Sequence, residues 1–516
     1  MTFALHALLL VAANGCLFVA GAGITRAFGA WHRLAELRRV LGISYVAGVA
    51  AYGVTAQLLY VLGLSLRLWQ ILALCAVLAA SGLAGRGSPA PVAPKRVSRL
   101  ELAAAGLAGL LLLLLALDSI VQPLASYDAW SQWIPKGRAL VVVNGLDPHV
   151  LGSLAYRSWH LDYPLFVPSL EAFAFRFIGL DYRVVHLQQW FFLFGFAAAF
   201  VELVRPRVRP LFLWAGLLAI LWSPRVGNEL LAANADLALA VFIGLAGIAA
   251  FVWITESDPV SLRLLALFAA AALATKVEGL PLVAIIFLLT VSYLARRSRR
   301  HTLLTAAAAA AALVGTVPWR IWVAIHHLPA TYSVRAALDG PGIHDHSRGP
   351  ISTLVLIGDL FSPTGWLLLM PLSLVAVAAL AGAGLPRRRR LRLGVVTAVF
   401  VAAGTATTFA VPGPSFPFPW RASDWLLFVP VAGAALLLGA PVARAGGVAA
   451  WSLGVVAAMV GMFVVVYVLT PFPFSWHLGT SSDRVVLGPA LFLAALTPLL
   501  LEQASLRAVP RRSPDA

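Results

Sequence analysis

Acidic side chains are scarce in this chain. Only 21 of 516 residues are Asp or Glu against 38 Lys or Arg, and charged residues of both signs make up 11%, less than half the roughly 25% of a soluble domain. So few ionisable groups cannot solvate the surface of a soluble globular fold. Cysteine is nearly absent: Cys16 and Cys75 both lie in apolar stretches, which excludes a disulfide framework and a cysteine metal site. There is no glycine-rich phosphate loop, no G-x-S-x-G and no H-E-x-x-H, so P-loop, serine-hydrolase and zinc-protease mechanisms have no support. No internal repeat is evident, and the halves do not mirror each other as those of inverted-repeat transporters do.

What is present is apolar. Hydrophobic residues make up 61% of the chain, and mean hydropathy is +0.89, which identifies an all-α polytopic membrane protein. Apolar segments fall near 3–25, 41–63, 67–84, 102–121, 188–204, 210–223, 231–254, 261–275, 278–295, 302–325, 365–384, 391–410, 425–442, 447–469 and 486–502. They predict about fifteen crossings, with 210–223 and 261–275 short for a span. The first segment lacks the basic start and small-residue cleavage pattern of a signal peptide and reads as a retained span.

The net charge of +17 would suggest nucleic acid in a soluble chain. Here the cations cluster between apolar segments: Arg33, Arg38 and Arg39; Lys95, Arg96 and Arg99; Arg205, Arg207 and Arg209; Arg296 to Arg300; Arg387 to Arg390; Arg511 and Arg512. With fifteen crossings all of them fall on one side, the pattern of cytoplasmic loops. This puts the amino terminus outside, the carboxyl terminus inside and the long loop 122–187 outside, provided that 351–361 lies along the outer surface without crossing. The expected organisation is a three-span amino-terminal module over 1–84, a linker over 85–100 that contains "GRGSPAPVAPKR", a catalytic core over 101–325, a further membrane region over 326–502 and a tail over 503–516.

The opposite face collects the remaining polar groups: Asp128, Lys136 and Arg138; His160 and Asp162; Asn228, Glu229, Asn234 and Asp236; Lys276 and Glu278; Arg335, His344, Asp345, His346 and Arg348; Arg421 and Asp424; His477, Asp483 and Arg484. Ionisable groups at the mouth of a membrane bundle are costly unless paired or functional. Within the long loop, 129–154 with Trp130 and Trp133, and 160–179, predict two amphipathic helices lying on the membrane surface. Asp128 reads either as a general base for an acceptor hydroxyl or as a cap for the helix that starts at Ala129. Lys276 or Arg484 would stabilise a departing phosphate, or Lys276 would simply pair with Glu278. Asp236 sits two turns or less inside its span, functional or paired with an arginine. The "HDH" at 344–346 has weak metal-ligand character. The aromatic, proline-rich "PGPSFPFPWRASDW" and "TPFPFSWHLGTSSDR" suit an interfacial belt.

A short ordered set of motifs carries a resemblance: "YDAW", "HLDYPLFVPSLEAF", "ANADLALAVF", "LATKVEGLPL" and "WHLGTSSDRVVLGPALFLAAL". Together they resemble bacterial members of the glycosyltransferase C superfamily, relatives of the protein mannosyltransferases, the lipid A aminoarabinose transferases and the family-39 and family-83 membrane glycosyltransferases, over about residues 100–500. The resemblance implies a glycosyltransferase C type fold with its site on the extracytoplasmic face of the plasma (inner) membrane. It implies inverting transfer of a sugar from a polyprenyl-phosphate donor to an extracytoplasmic glycan, lipid or protein. Asp128 would be the catalytic base, and Lys276 and Arg484 the donor-phosphate contacts. Trp130, Arg138, His160, Asp162, Tyr163, Asn234, Asp236, Glu278 and His477 would line the substrate site, Tyr163 with Pro164 matching the family's proline turn. Many members carry two adjacent acids where Tyr127 and Asp128 stand, which leaves Asp162 or Asp236 as the second carboxylate. No cofactor or metal is assigned, and the expected partners are the bilayer, the lipid-linked donor and the acceptor, not nucleic acid. A transporter or flippase of a lipid-linked saccharide is the alternative, and an inactive scaffold a third.

Overall fold

The computed structural model describes residues 3–85, 97–124, 126–151, 153, 159–329, 331, 344–410 and 422–508, with side chains described for these except 410 and 422–425. The linker stretch 86–96, Arg335, Arg421, Arg511, Arg512 and the side chain of Asp424 lie outside the described residues. Every regular element among the described residues is helical.

Each segment expected to span is covered by helix, but the helices differ in length. Among the described residues nine are long and apolar enough to cross a membrane, or up to twelve if each of three bent pairs is one span. The fifteen expected crossings exceed this because Leu68–Ala84, Pro259–Thr275 and Gly279–Ala295 are shorter apolar helices. Within the second of the units described below, Arg348–Trp366 bends by 114° against Leu369–Gly382, where Leu367 takes a left-handed backbone at φ +52°.

The chain divides into two compact units: Met1–Pro206 with Val226–Thr331, and Arg207–Arg225 with Tyr332–Ala516. In the first, the helices Phe3–Ala27, Leu41–Val61 and Leu68–Ala80 pack on one another, and Leu41–Val61 also packs on Leu187–Val204 and Pro259–Thr275. By contacts the three amino-terminal helices fall in the same unit as the helices from Val226 to Thr331. Phe3–Ala27 and Leu41–Val61 cross at glycines. A Cβ on Gly21 would stand 1.7 Å from the Ser44 carbonyl oxygen, and one on Gly48 1.8 Å from that of Leu17. Small residues at such a crossing let backbones touch where lipid offers no hydrophobic drive for helix association. One buried polar cluster is matched: the Asn14 and Gln188 side-chain amides exchange hydrogen bonds at 3.0 Å, and the Tyr45 hydroxyl donates to Asn14 Oδ1 at 2.6 Å.

Ala235–Glu256 is enclosed along nearly its whole length, whereas Arg99–Val121 is mostly exposed and turns Leu102, Leu110, Leu113 and Leu117 outward. A leucine-covered open face on a helix of spanning length is the surface lipid covers. Ser98 accepts from Glu101 N while the Glu101 carboxylate takes Ser98 N–H, a capping box that fixes where this span begins.

The long loop departs from the expected pair of surface helices. Asp128 is followed by a π-helical turn, Ala129–Trp133, and then by Ile134–Val142, of which one side is buried. The second helix, Phe166–Ile178, is buried over most of its residues, packed by Ile134–Val142, Phe3–Ala27 and Leu41–Val61. It lies within the unit, not on its surface, because its Phe and Ala face meets helices on several sides.

The second unit gathers Pro210–Leu221 and the helices from Arg348 to Ala508 around Leu487–Ala508, which is buried along most of its length. Thr497 donates to Ser373 Oγ at 2.8 Å across that centre, while Arg387–Phe409 and Leu426–Ala445 are largely exposed apolar faces.

Candidate functional site

In the first unit the turn 160–165 is held from three directions. Gln57, buried in Leu41–Val61, accepts from Leu165 N at 2.7 Å and donates to the Gly315 carbonyl at 2.8 Å. Trp319 Nε1 donates to the Asp162 carbonyl at 2.9 Å, with its indole stacked on Trp322 at 5.2 Å. Lys136 Nζ donates to the His160 carbonyl at 2.7 Å, and Tyr163 N donates to the same oxygen at 3.0 Å. Between these anchors His160 adopts φ +47°, a left-handed conformation uncommon outside glycine and retained where surrounding contacts dictate it.

The His160 ring stacks on Tyr163 at 5.0 Å, and its Nδ1 lies 3.1 Å from Thr331 Oγ1. The Thr331 hydroxyl donates to Asp162 Oδ1 at 2.5 Å. Lys136 is 1% exposed, with Nζ 5.6 Å from the Trp133 ring and 5.9 Å from that of Tyr163. Burial pushes its ammonium down to about 7, partly countered by the Asp162 charge. Burial also lowers His160, joined by Lys136 and Lys276 and opposed by Asp162 and Asp128. One imidazole therefore senses four charged side chains from four separate segments.

The next cluster is an ion-paired one. Lys276 Nζ lies 2.8 Å from Asp236 Oδ1 and 3.5 Å from Glu278 Oε1. Asp236 stands in the first turn of Ala235–Glu256, and the bland reading for it, a cationic partner, is met by Lys276. Asn234, just before that helix, accepts from Ser126 Oγ at 3.1 Å, which ties the approach to Asp128 to the start of this span. Asp128 is half-buried, makes no side-chain cap bond to the turn it precedes and accepts from Gln132 Nε2 at 3.0 Å. The capping role expected of it is thus absent.

No family model, curated protein or solved structure matches the chain. The arrangement itself is what bears on function.

The first unit thus brings together Asp128, His160, Asp162, Tyr163, Asn234, Asp236, Lys276 and Glu278. Two expected substrate contacts stand apart from that cluster in exposure: Trp130 is 54% exposed, edge-on to Tyr127 at 5.1 Å, and Arg138 is exposed on Ile134–Val142. Both suit a mooring role at a headgroup surface. Lys136 and Thr331 were not among the expected site residues. Lys136 read as one more loop cation, and Thr331 belongs to no motif. Glu171 is not among the expected site residues either. It is buried against Gly137, where a Cβ would come 2.7 Å from its own, and burial raises its carboxyl well above the usual range.

In the second unit His477 is buried, with Nδ1 2.7 Å from Thr470 Oγ1 and its ring flanked by Tyr467 at 5.0 Å and Phe472 at 5.5 Å. Arg484 lies half-buried in the last turn of the same helix, and its neighbour Asp483 pairs with Arg225. Asp345 binds Ser347 and Arg348 at the start of Arg348–Leu360, while His344 and His346 are exposed. Among the described residues no group of three metal-ligating side chains forms. An apolar groove of about 500 Å³ runs among the second unit's helices, lined by Phe361, Leu438, Val460 and Leu493.

Proposed function

We propose that this chain is a membrane glycosyltransferase of the glycosyltransferase C type, with Asp128 as general base and a polyprenyl-phosphate sugar as donor. The observation that carries the reading is the turn at His160, where Lys136 binds the His160 carbonyl and Thr331 links the His160 ring to Asp162. In a membrane chain with only 21 acids, Asp162 lies in that turn and Asp236 is held by Lys276. In the reaction, an acceptor hydroxyl gives its proton to the Asp128 carboxylate as its oxygen bonds to the anomeric carbon. The bond from that carbon to the phosphate oxygen breaks, and its electron pair leaves with the phosphate, whose charge is already delocalised. Lys276 meets the departing phosphate by giving up Glu278, the longer of the two ion pairs with Asp236 and Glu278. Fifteen crossings, with the amino terminus outside and the carboxyl terminus in the cytoplasm, belong to the same reading. The three shorter apolar helices would join the nine to twelve longer ones.

A flippase of a lipid-linked saccharide is the second reading. It is favoured by the broken helices, above all the 114° bend after Trp366, since discontinuous spans are characteristic of transporters. Proteoliposomes loaded with labelled polyprenyl-phosphate sugars separate the two. Release of free polyprenyl phosphate that depends on an acceptor supports transfer. Movement of intact donor across the bilayer without release overturns it.

A further inference from the structure

The Thr331 hydroxyl has a single proton, and a carboxylate can only accept. With that proton committed to Asp162 Oδ1 at 2.5 Å, the Thr331 oxygen is left to accept from His160 Nδ1 at 3.1 Å. The His160 ring must then carry its proton on Nδ1, and Nε2 keeps its lone pair. We propose that His160 is a fixed hydrogen-bond acceptor of the site, held in the Nδ1–H form by Thr331 and Asp162, whose Nε2 receives a hydroxyl group of a carbohydrate substrate.

Three further features fit this role. The ring cannot turn freely, because it stacks on Tyr163 and its backbone is pinned at φ +47° by hydrogen bonds from Lys136 and Tyr163 to its carbonyl. The charges that act on it come from four segments: Lys136 from Ile134–Val142, Asp162 from its own turn, Asp128 from just before the Ala129–Trp133 turn and Lys276 from the turn that follows Pro259–Thr275. Burial and the two lysines keep the ring neutral at physiological pH, the state in which an imidazole accepts. An accepting nitrogen recognises a hydroxyl and rejects a phosphate, which has no proton to give. This divides the labour of the site, with the hydroxyl side at His160 and the anion side at Lys276.

The identity of the hydroxyl rests on the glycosyl-transfer reading, whereas the tautomer does not, so the test has two arms. In the first, the protein in detergent micelles is labelled with ¹⁵N and ¹³C histidine, and the His160 signal is identified by its loss in His160→Gln. The Nδ1–H tautomer is expected in the unsubstituted chain, and a mixture of tautomers in Thr331→Val, which keeps the side-chain shape and removes the hydroxyl. An Nε2–H ring, or a tautomer unmoved by Thr331→Val, overturns the proposal. In the second arm, acceptor kcat/KM is expected to fall about tenfold or more in His160→Phe, mostly through KM, and less in His160→Gln, which retains an accepting oxygen. Equal losses in the two variants also overturn it. A chain that shows no transfer in any form defeats the glycosyltransferase reading and leaves the tautomer result to decide the role of His160 by itself.

Discussion

Replacing Lys276 by Met should cost the protein more stability than almost any other single change in the first unit. The ammonium sits 2.8 Å from Asp236 and 3.5 Å from Glu278, with side-chain exposures of 9%, 5% and 15%. Coulomb's law at 2.8 Å gives about 6 kcal/mol of attraction at an effective dielectric of about 20, and the desolvation of both ions opposes it. Removing one partner removes the attraction and leaves the desolvation, typically a loss of about 3–5 kcal/mol. Here the loss falls at the upper end, because two carboxylates, Asp236 and Glu278, lose the same cation. Neutralising Asp236 as well, in Asp236→Asn with Lys276→Met, should restore part of it, since the more deeply buried of the two carboxylates is then uncharged and only Glu278, 15% exposed, has lost its lysine. Reversible unfolding with sodium dodecyl sulfate in mixed micelles, run as a double-mutant cycle, reads these values. A Lys276→Met protein within about 1 kcal/mol of the parent, or a double variant no better than the single, would refute the reasoning.

Lys136 makes a pH prediction. Its folded value near 7 lies below the ordinary 10.5, so between these values the unfolded chain binds the extra proton and stability rises with pH. The contribution is complete above 10.5 and is lost as pH falls through about 7, with a slope of at most about 1.4 kcal/mol per pH unit. Lys136→Met should flatten that slope in unfolding experiments at pH 7 to 9. Gly48→Leu puts a side chain where the Leu17 carbonyl oxygen already stands 1.8 Å from a Cβ, and should lower stability by about 3 kcal/mol or more in the same assay. Trp130→Ala, at an exposed position, should leave catalytic turnover within about twofold of the parent while weakening retention at the bilayer surface, measured by vesicle flotation of a peptide spanning the 122–187 loop.

Much of the fold was legible in the sequence because membranes impose long apolar windows and charge-segregated loops, and each expected segment is indeed helical. The span count is harder to read, because Leu68–Ala84, Pro259–Thr275 and Gly279–Ala295 are short and Arg348–Trp366 turns sharply, features that hydropathy windows blur. Asp128, Asp236 and Lys276 stood out as ionisable groups near apolar segments. Their pairing did not, since forty residues separate Asp236 from Lys276 and no periodicity reports a contact between two helix ends. Phe166–Ile178 read as a surface helix because Pro168, Glu171 and Arg176 interrupt it. Its burial depends on Gly137 allowing Ile134–Val142 to approach it closely, a tertiary fact. Lys136 and Thr331 were invisible for a similar reason: what distinguishes them is burial and hydrogen bonding to a turn held from elsewhere.

The central claim is that Asp128 takes the proton from an acceptor hydroxyl, and a single-turnover assay with Asp128→Asn tests it directly. Reconstituted protein is mixed with labelled polyprenyl-phosphate sugar and acceptor, and release of polyprenyl phosphate is followed with time. The account predicts release by the parent chain and a loss of about 10²-fold or more in Asp128→Asn, with unfolding behaviour unchanged. Release by the variant at the parent's rate would contradict it.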